Sequence, residues 1–119
     1  PFGAYDDDLT QELENKGDVE TGMIITIIAL GAVTNPKIYN TLTGEYIGIN
    51  DTLAGNDQVT ITTVKGQKTI TKNGVNIIDK IMSGSTFLQL ATGFNEFTIQ
   101  ADSGLDNLYF TLTYKQLYV

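Results

Sequence analysis

The 119-residue chain has no cysteine, no histidine, no tryptophan and no arginine, so all seven basic residues are lysine. Each absence removes a class of chemistry. Without histidine and cysteine there is no Ser-His-Asp or Cys-His triad, no zinc or haem held by imidazole or thiolate, and no disulfide framework. No Gly-x-Gly-x-x-Gly or Gly-Lys-Ser/Thr run is present to cradle a phosphate. The most apolar stretch, residues 23–33, is interrupted only by Thr26 and Gly31. At about half of the roughly 20 residues a spanning helix needs, and without a basic flank, it reads as neither a membrane anchor nor a signal peptide. No cofactor is implied by any of these features.

What is present is an acidic chain of single-domain size, with net charge −7 and 41% hydrophobic residues. That charge argues against nucleic acid and against an anionic membrane surface as partners. It is also unevenly placed. Asp6, Asp7, Asp8, Glu12, Glu14, Asp18 and Glu20 face only Lys16 within residues 1–20, so this part carries −6 and the remainder −1. Residues 1–22 therefore read as an acidic leader: either a solvated arm or a short helix capped by Asp8, with Leu9 and Leu13 at i, i+4 docking on the domain and Gly17 ending it. Phe2 and Tyr5 are costly to leave in water, which suggests packing against a further part of a longer protein.

From residue 23 onward the hydrophobic period is mostly two, with turn signals every eight to twelve residues. This is the pattern of an all-β sandwich. Residues 23–30 are rich in β-branched side chains and bracketed by Gly22 and Gly31, so a central strand buried on both faces is expected. Asn35-Pro36 opens a strand through Tyr39, and Thr41-Leu42-Thr43-Gly44 reverses the chain into residues 45–50. A loop is expected over 51–57, with strands over 58–65 and 67–72 joined by a bulged turn at Lys65-Gly66-Gln67. Asn73-Gly74 is the strongest hairpin signal, and residues 75–82 read as a strand running into an irregular or helical turn. A short strand over 86–90, a turn over 92–95, a strand with Phe97, Ile99 and Ala101 inward, a loop over 102–107 and a final alternating strand with Leu108, Phe110, Leu112 and Tyr114 inward complete the reading. Together these give an antiparallel two-sheet β-sandwich of eight or nine strands over residues 23–119.

Three kinds of site come into question on this scaffold. Paired carboxylates for glycoside hydrolysis must face each other across a cleft, yet Glu45, Asp51, Asp57, Asp79, Glu96, Asp102 and Asp106 fall almost entirely in turns or at strand ends. Oxygen ligands for calcium cluster at Asp6-Asp7-Asp8, at Asn50-Asp51 with Asn56-Asp57, and at Asp102 with Asp106-Asn107, but none has the spacing of a calcium loop. No catalytic or metal site is therefore assigned. A sugar-binding sheet face stacks its ligand on aromatic rings; Tyr39, Tyr46 and Tyr109 are the candidates for such a carbohydrate or partner contact, against their ordinary use as packing residues.

The order of the turns carries a resemblance. Tyr39-Asn-Thr-Leu-Thr-Gly-Glu-Tyr-Ile-Gly-Ile-Asn50, then Thr52-Leu-Ala-Gly-Asn-Asp-Gln-Val-Thr-Ile-Thr-Thr63, then Lys65-Gly-Gln-Lys-Thr-Ile-Thr-Lys-Asn-Gly-Val-Asn-Ile-Ile78, followed by Ser85-Thr-Phe-Leu-Gln-Leu90, Gly93-Phe-Asn95 and the closing Tyr114-Lys-Gln-Leu-Tyr118, resembles the C-terminal domain of siphophage distal tail proteins. Phe2, the acidic run and Gly17-Asp18 resemble the segment that precedes that domain. The resemblance implies a galectin-like or jelly-roll sandwich at the C-terminal end of a longer phage or prophage protein. An N-terminal domain absent from this sequence would form a hexameric ring. The implied role is structural and not enzymatic: joining the tail tube to the host-adsorption baseplate at the virion tail tip, after assembly in the bacterial cytoplasm. The implied partners are tail-tube, tape-measure or tail-associated, and receptor-binding proteins. The competing reading is a carbohydrate-binding module for host cell-wall polysaccharide.

Overall fold

In the computed structural model, which describes residues 10–114, the chain is all-β. Its strands are β1 (Thr10–Asn15), β2 (Met23–Ala29), β3 (Val33–Thr34), β4 (Lys37–Asn40), β5 (Tyr46–Gly48), β6 (Thr52–Leu53), β7 (Gln58–Thr62), β8 (Thr69–Lys72), β9 (Val75–Asn76), β10 (Gly93–Gln100) and β11 (Leu108–Tyr114). Two antiparallel sheets dominate, one of four strands in the order β1-β10-β4-β5 and one of five in the order β11-β2-β7-β8-β9, with β3 and β6 forming a small pair.

Alternation explains the two layers. Ile25 and Ile27 of β2, Ile61 of β7, Ile70 of β8 and Phe110 of β11 turn inward from the five-stranded sheet, and Ile38, Ile47, Phe97 and Ile99 meet them from the four-stranded one. All are essentially inaccessible, and burying each such side chain contributes about 1.5–3 kcal/mol over leaving it in water. Asn73-Gly74 forms the expected tight hairpin: both residues have positive φ (52° and 85°) and Lys72 pairs with Val75 across the turn. After β9 the chain enters a single 3₁₀ turn at Ile78–Lys80, as the irregular spacing of residues 75–82 suggested.

Several expectations are corrected. Residues 10–15 are neither a solvated arm nor a helix; they form the edge strand β1, paired with β10 from Thr10 opposite Thr98 to Asn15 opposite Gly93. Leu13 and Asn15 turn inward at a period of two, and the strand covers a β10 edge whose backbone groups would otherwise lack ladder partners. Asp8 and Leu9, on which the helical reading rested, lie outside the described residues. Gln11 Nε2 donates to Phe110 O at 2.6 Å and Tyr114 Oη donates to Glu14 O at 3.0 Å, sewing β1 to β11 where the two sheets meet.

β2 is central but is buried on one face only. Met23, Ile25, Ile27 and Ala29 are enclosed, whereas Ile24 is exposed and Thr26 and Ile28 are half-buried, because among the described residues no third layer covers the outside of the five-stranded sheet. Residues 86–90 form no strand. Leu88 and Leu90 are buried, but only Leu90 bridges, to Thr21, so the segment fills the core as irregular chain. The 51–57 loop contains β6, which pairs with β3. The 92–95 turn is mostly strand, since β10 starts at Gly93. The β7–β8 connection is longer than a bulged hairpin, running from Thr62 to its partner Thr69.

Candidate functional site

Two of the three tyrosines come together. Tyr39 of β4 lies directly opposite Tyr46 of β5, and opposite residues in an antiparallel pair share a face. Here that face is the outer one, since the intervening Ile38 and Ile47 are buried. Lys37, two residues before Tyr39, lies on the same face and sets its ammonium over both rings, 5.2 Å from the Tyr39 centroid and 4.9 Å from that of Tyr46. The Tyr46 hydroxyl donates to Ser83 O at 2.6 Å. Lys37 thus covers the ring faces that a stacked sugar would use, and the Tyr46 hydroxyl already has an acceptor.

Beside this trio lies an open depression of about 300 Å³ lined by Asn35, Lys37, Tyr39, Asn50, Met82, Gln100, Ala101 and Asp102. Gln100 faces Lys37 across the β10–β4 ladder. Asn35 Nδ2 donates to Asp102 Oδ2 at 2.8 Å, so one carboxylate oxygen at the rim is already paired. Met82 packs over Gly48, where a side chain on residue 48 would collide with its sulfur. The depression offers one ammonium, one carboxylate and three amides around one aromatic ring, a set that recognises hydroxyls and amides rather than a strongly charged ligand. Lys37 and Tyr39 were legible as one face from their spacing. Asn35, Asn50, Gln100 and Asp102 were not, because their convergence depends on the β10–β4 register and on two loops.

Tyr109 is elsewhere. It projects from β11 on the outside of the five-stranded sheet, opposite Ile28. Three rows cross that face: Tyr109, Ile28 and Gln58; Thr111, Thr26, Thr60, Thr71 and Asn76; Thr113, Ile24, Thr62 and Thr69. None of these side chains carries a formal charge. The outside of the four-stranded sheet is different, with Glu12 directly opposite Glu96 and Glu14 opposite Phe94.

Of the carboxylates that could serve as acid/base or calcium groups, Asp51 and Asp57 are tied to neighbours, while Asp6, Asp7 and Asp8 lie outside the described residues. Lys72 Nζ contacts Asp51 Oδ2 at 3.2 Å and Asp57 Oδ2 at 4.0 Å, and Lys80 Nζ lies 3.8 Å from Asp51 Oδ1. Burial pushes the Asp51 carboxyl up, but the hydrogen bonds from Lys72 and the Thr52 N–H, with both lysine charges, outweigh it and hold the group below 3.8. Asp57 is held below the same value chiefly by the Ala54 N–H, then by the Asn73 amide. The cluster joins β6, β8 and the 3₁₀ turn, and it leaves no carboxylate poised to take a proton near neutral pH. Among the described residues no group of three or more His, Cys, Asp or Glu converges to hold a metal ion.

Three of the buried polar side chains, Asn15, Asn40 and Asn95, are asparagines beside turns, a placement that hydrophobic periodicity does not mark. Asn95 takes the Ala91 N–H on Oδ1 and donates to Ala91 O and Gly93 O. Asn15 donates to Val19 O and Leu90 O while taking the Gly17 N–H. Asn40 takes the N–H groups of Leu42 and Thr43, closing the 41–44 reversal. Each satisfies backbone at a chain reversal, a structural use of the amide.

No curated protein and no solved structure matches the chain. One family model does, described as "Siphovirus-type tail component, C-terminal domain", and its match takes in β2 through β11. Because that match runs over residues 16–118, the chain belongs to the siphovirus-type tail component family, as its C-terminal domain, and is a component of the virion tail.

Proposed function

We propose that the chain is the C-terminal domain of a distal tail protein, a non-enzymatic part that joins the tail tube to the host-adsorption apparatus at the tail tip. The observation that carries this reading is family membership across 16–118. It is supported by the site chemistry: Asp51 and Asp57 are clamped by lysines and amides, and the buried asparagines hold turns. The partners are the tail-tube, tail-associated and receptor-binding proteins of the same particle. Co-expression of the whole gene product with the tail-tube protein and the receptor-binding protein should give a complex that co-elutes in size exclusion. Elution of all three as separate species would refute the joining role.

A second reading, a glycan contact with host cell-wall polysaccharide, is favoured by one observation: the amide-lined depression beside Tyr39. Tyr46 contributes by holding Lys37 at its edge, and Tyr109 has no part in it. Calorimetric titration with cell-wall polysaccharide should release heat that Tyr39→Ala abolishes, and no heat with any wall fraction would retire the reading.

A further inference from the structure

We propose that Asn73 is a site of spontaneous covalent modification, deamidation to aspartate and isoaspartate, and that opening of the β8–β9 hairpin sets its rate. Of the asparagines in the chain only Asn73 is followed by glycine. Glycine has no side chain to shield its own amide, so the Gly74 nitrogen can reach the side-chain carbon of the residue before it. Both residues are exposed, and nothing lies within 4 Å of where a side chain on Gly74 would project.

The reaction needs only solvent. The Gly74 nitrogen gives its proton to hydroxide and attacks Asn73 Cγ. The new N–C bond closes a five-membered imide, the Cγ–Nδ2 bond breaks, and the side-chain nitrogen leaves as ammonia. Water then adds to one of the two imide carbonyls. Opening at one carbonyl leaves aspartate in the ordinary main chain; opening at the other leaves isoaspartate, with the main chain routed through Cγ and one methylene longer.

The fold opposes this step at both polar atoms of the side chain. Asn73 Oδ1 accepts the Gln58 N–H at 2.9 Å, and Asn73 Nδ2 donates to Asp57 Oδ1 at 2.9 Å. The Asn73 N–H donates to Gln58 O at 2.8 Å, and Asp57 is itself fixed by the Ala54 N–H at 2.8 Å. The side chain is thus clamped to the start of β7, and swinging Cγ onto the Gly74 nitrogen breaks the clamp. Hairpins open and close far faster than an amide is lost, so the rate follows the fraction of time that the clamp is open. Two exposed hydrogen bonds, one of them to a carboxylate, hold that fraction to roughly one in ten or less.

The products undo what the clamp holds. Aspartate at 73 has no donor for Asp57 and sets a second carboxylate against it. Isoaspartate lengthens a two-residue turn, and β9 pairs only through Val75 with Lys72 and Asn76 with Thr71, so the hairpin loses its register. The chain is a virion tail component, and a finished particle has no synthesis to replace an altered copy. The modified form therefore accumulates as the particle ages.

Incubation of the 119-residue chain in mildly alkaline buffer, native and in guanidinium chloride, with peptide mass mapping, tests this. Asn73 should be the first asparagine to gain about 1 Da, and should do so at least about 10-fold more slowly in the native chain than in the unfolded one. Asp57→Ala removes one bond of the clamp and should speed the native reaction at least about 3-fold, with the circular dichroism spectrum kept as the check on folding. Asn95→Ala, which weakens the other sheet without touching the hairpin, should leave the rate within about 2-fold. The comparison of native with unfolded chain needs no variant. A native chain that modifies another asparagine first, that reacts at Asn73 as fast as the unfolded chain, or whose rate a folded Asp57→Ala leaves unchanged, overturns the proposal.

Discussion

Asn95→Ala removes one side chain and three hydrogen bonds. The amide is 2% exposed, on the inner face of β10, and bonds the N–H and C=O of Ala91 at 3.0 and 2.8 Å and Gly93 O at 3.1 Å. At about 1 kcal/mol net per bond the loss is about 3 kcal/mol; since Ala91 and Gly93 are exposed enough for water to reach their carbonyls, about 2 kcal/mol is expected. For a domain of this size that lowers Tm by roughly 10 °C. Urea unfolding followed by tyrosine fluorescence reads it directly, because the chain has six tyrosines and no tryptophan to mask them. The midpoint should fall with an unchanged slope. Asn95→Asp sharpens the test: it keeps the acceptor for Ala91 N–H but turns a charged oxygen toward two carbonyls, so at pH 7 it should be worse than alanine. A loss below about 0.5 kcal/mol for Asn95→Ala would refute the assignment of this amide as the clamp of the 91–93 bend.

The remaining predictions concern single residues. Glu12→Lys replaces a like-charge pair directly across from Glu96 with an opposite one, and should stabilise by about 0.5 kcal/mol in urea at low salt, an increment that 1 M NaCl erases. Gly104→Ala should destabilise by more than about 2 kcal/mol, since φ is 79° and a Cβ would strike the Ala32 carbonyl; an unchanged midpoint would contradict the described loop. Both Asp51 and Asp57 have folded-state pKa values below the ordinary 3.8, so the stability they contribute is fully present above that value and is lost as pH falls through it toward the folded values. Asp51→Asn should therefore be less stable than the parent at pH 7 and lose less on acidification below pH 4; parallel curves would show that the lysine cluster contributes nothing.

Local period and turn chemistry made most of the sandwich legible. Phe97, Ile99, Leu108 and Phe110 all face inward as their alternation required, and Asn73-Gly74 forms the hairpin that two successive positive φ angles demand. What alternation does not encode is which layers have a neighbour. Residues 23–29 are apolar but for Thr26, yet Ile24 and Ile28 face outward because among the described residues the sheet has no third layer. Charge misled the reading of residues 10–15: Glu12 and Glu14 suggested solvation, while strand formation only requires that they occupy the outer side, with Gln11 and Leu13 turned toward the domain. Residues 86–90 alternate like a strand but meet no edge beyond one bridge to Thr21.

The candidate site was legible in part for the same reason. Tyr39 and Tyr46 had the parity to share a face, and the β4–β5 register brings them opposite each other. Tyr109 had equal standing as an aromatic on a strand, but sheet membership places it on the other side of the molecule. The depression beside Lys37 draws on residues 35 to 102, a convergence that only long-range pairing produces.

Position in the particle tests the central claim most directly. Gold-labelled antibody against this domain, applied to intact virions and viewed by electron microscopy, should mark the end of the tail farthest from the capsid and nothing else. Label spread along the tube, or gathered where tail meets capsid, would contradict a role in joining the tube to the adsorption apparatus.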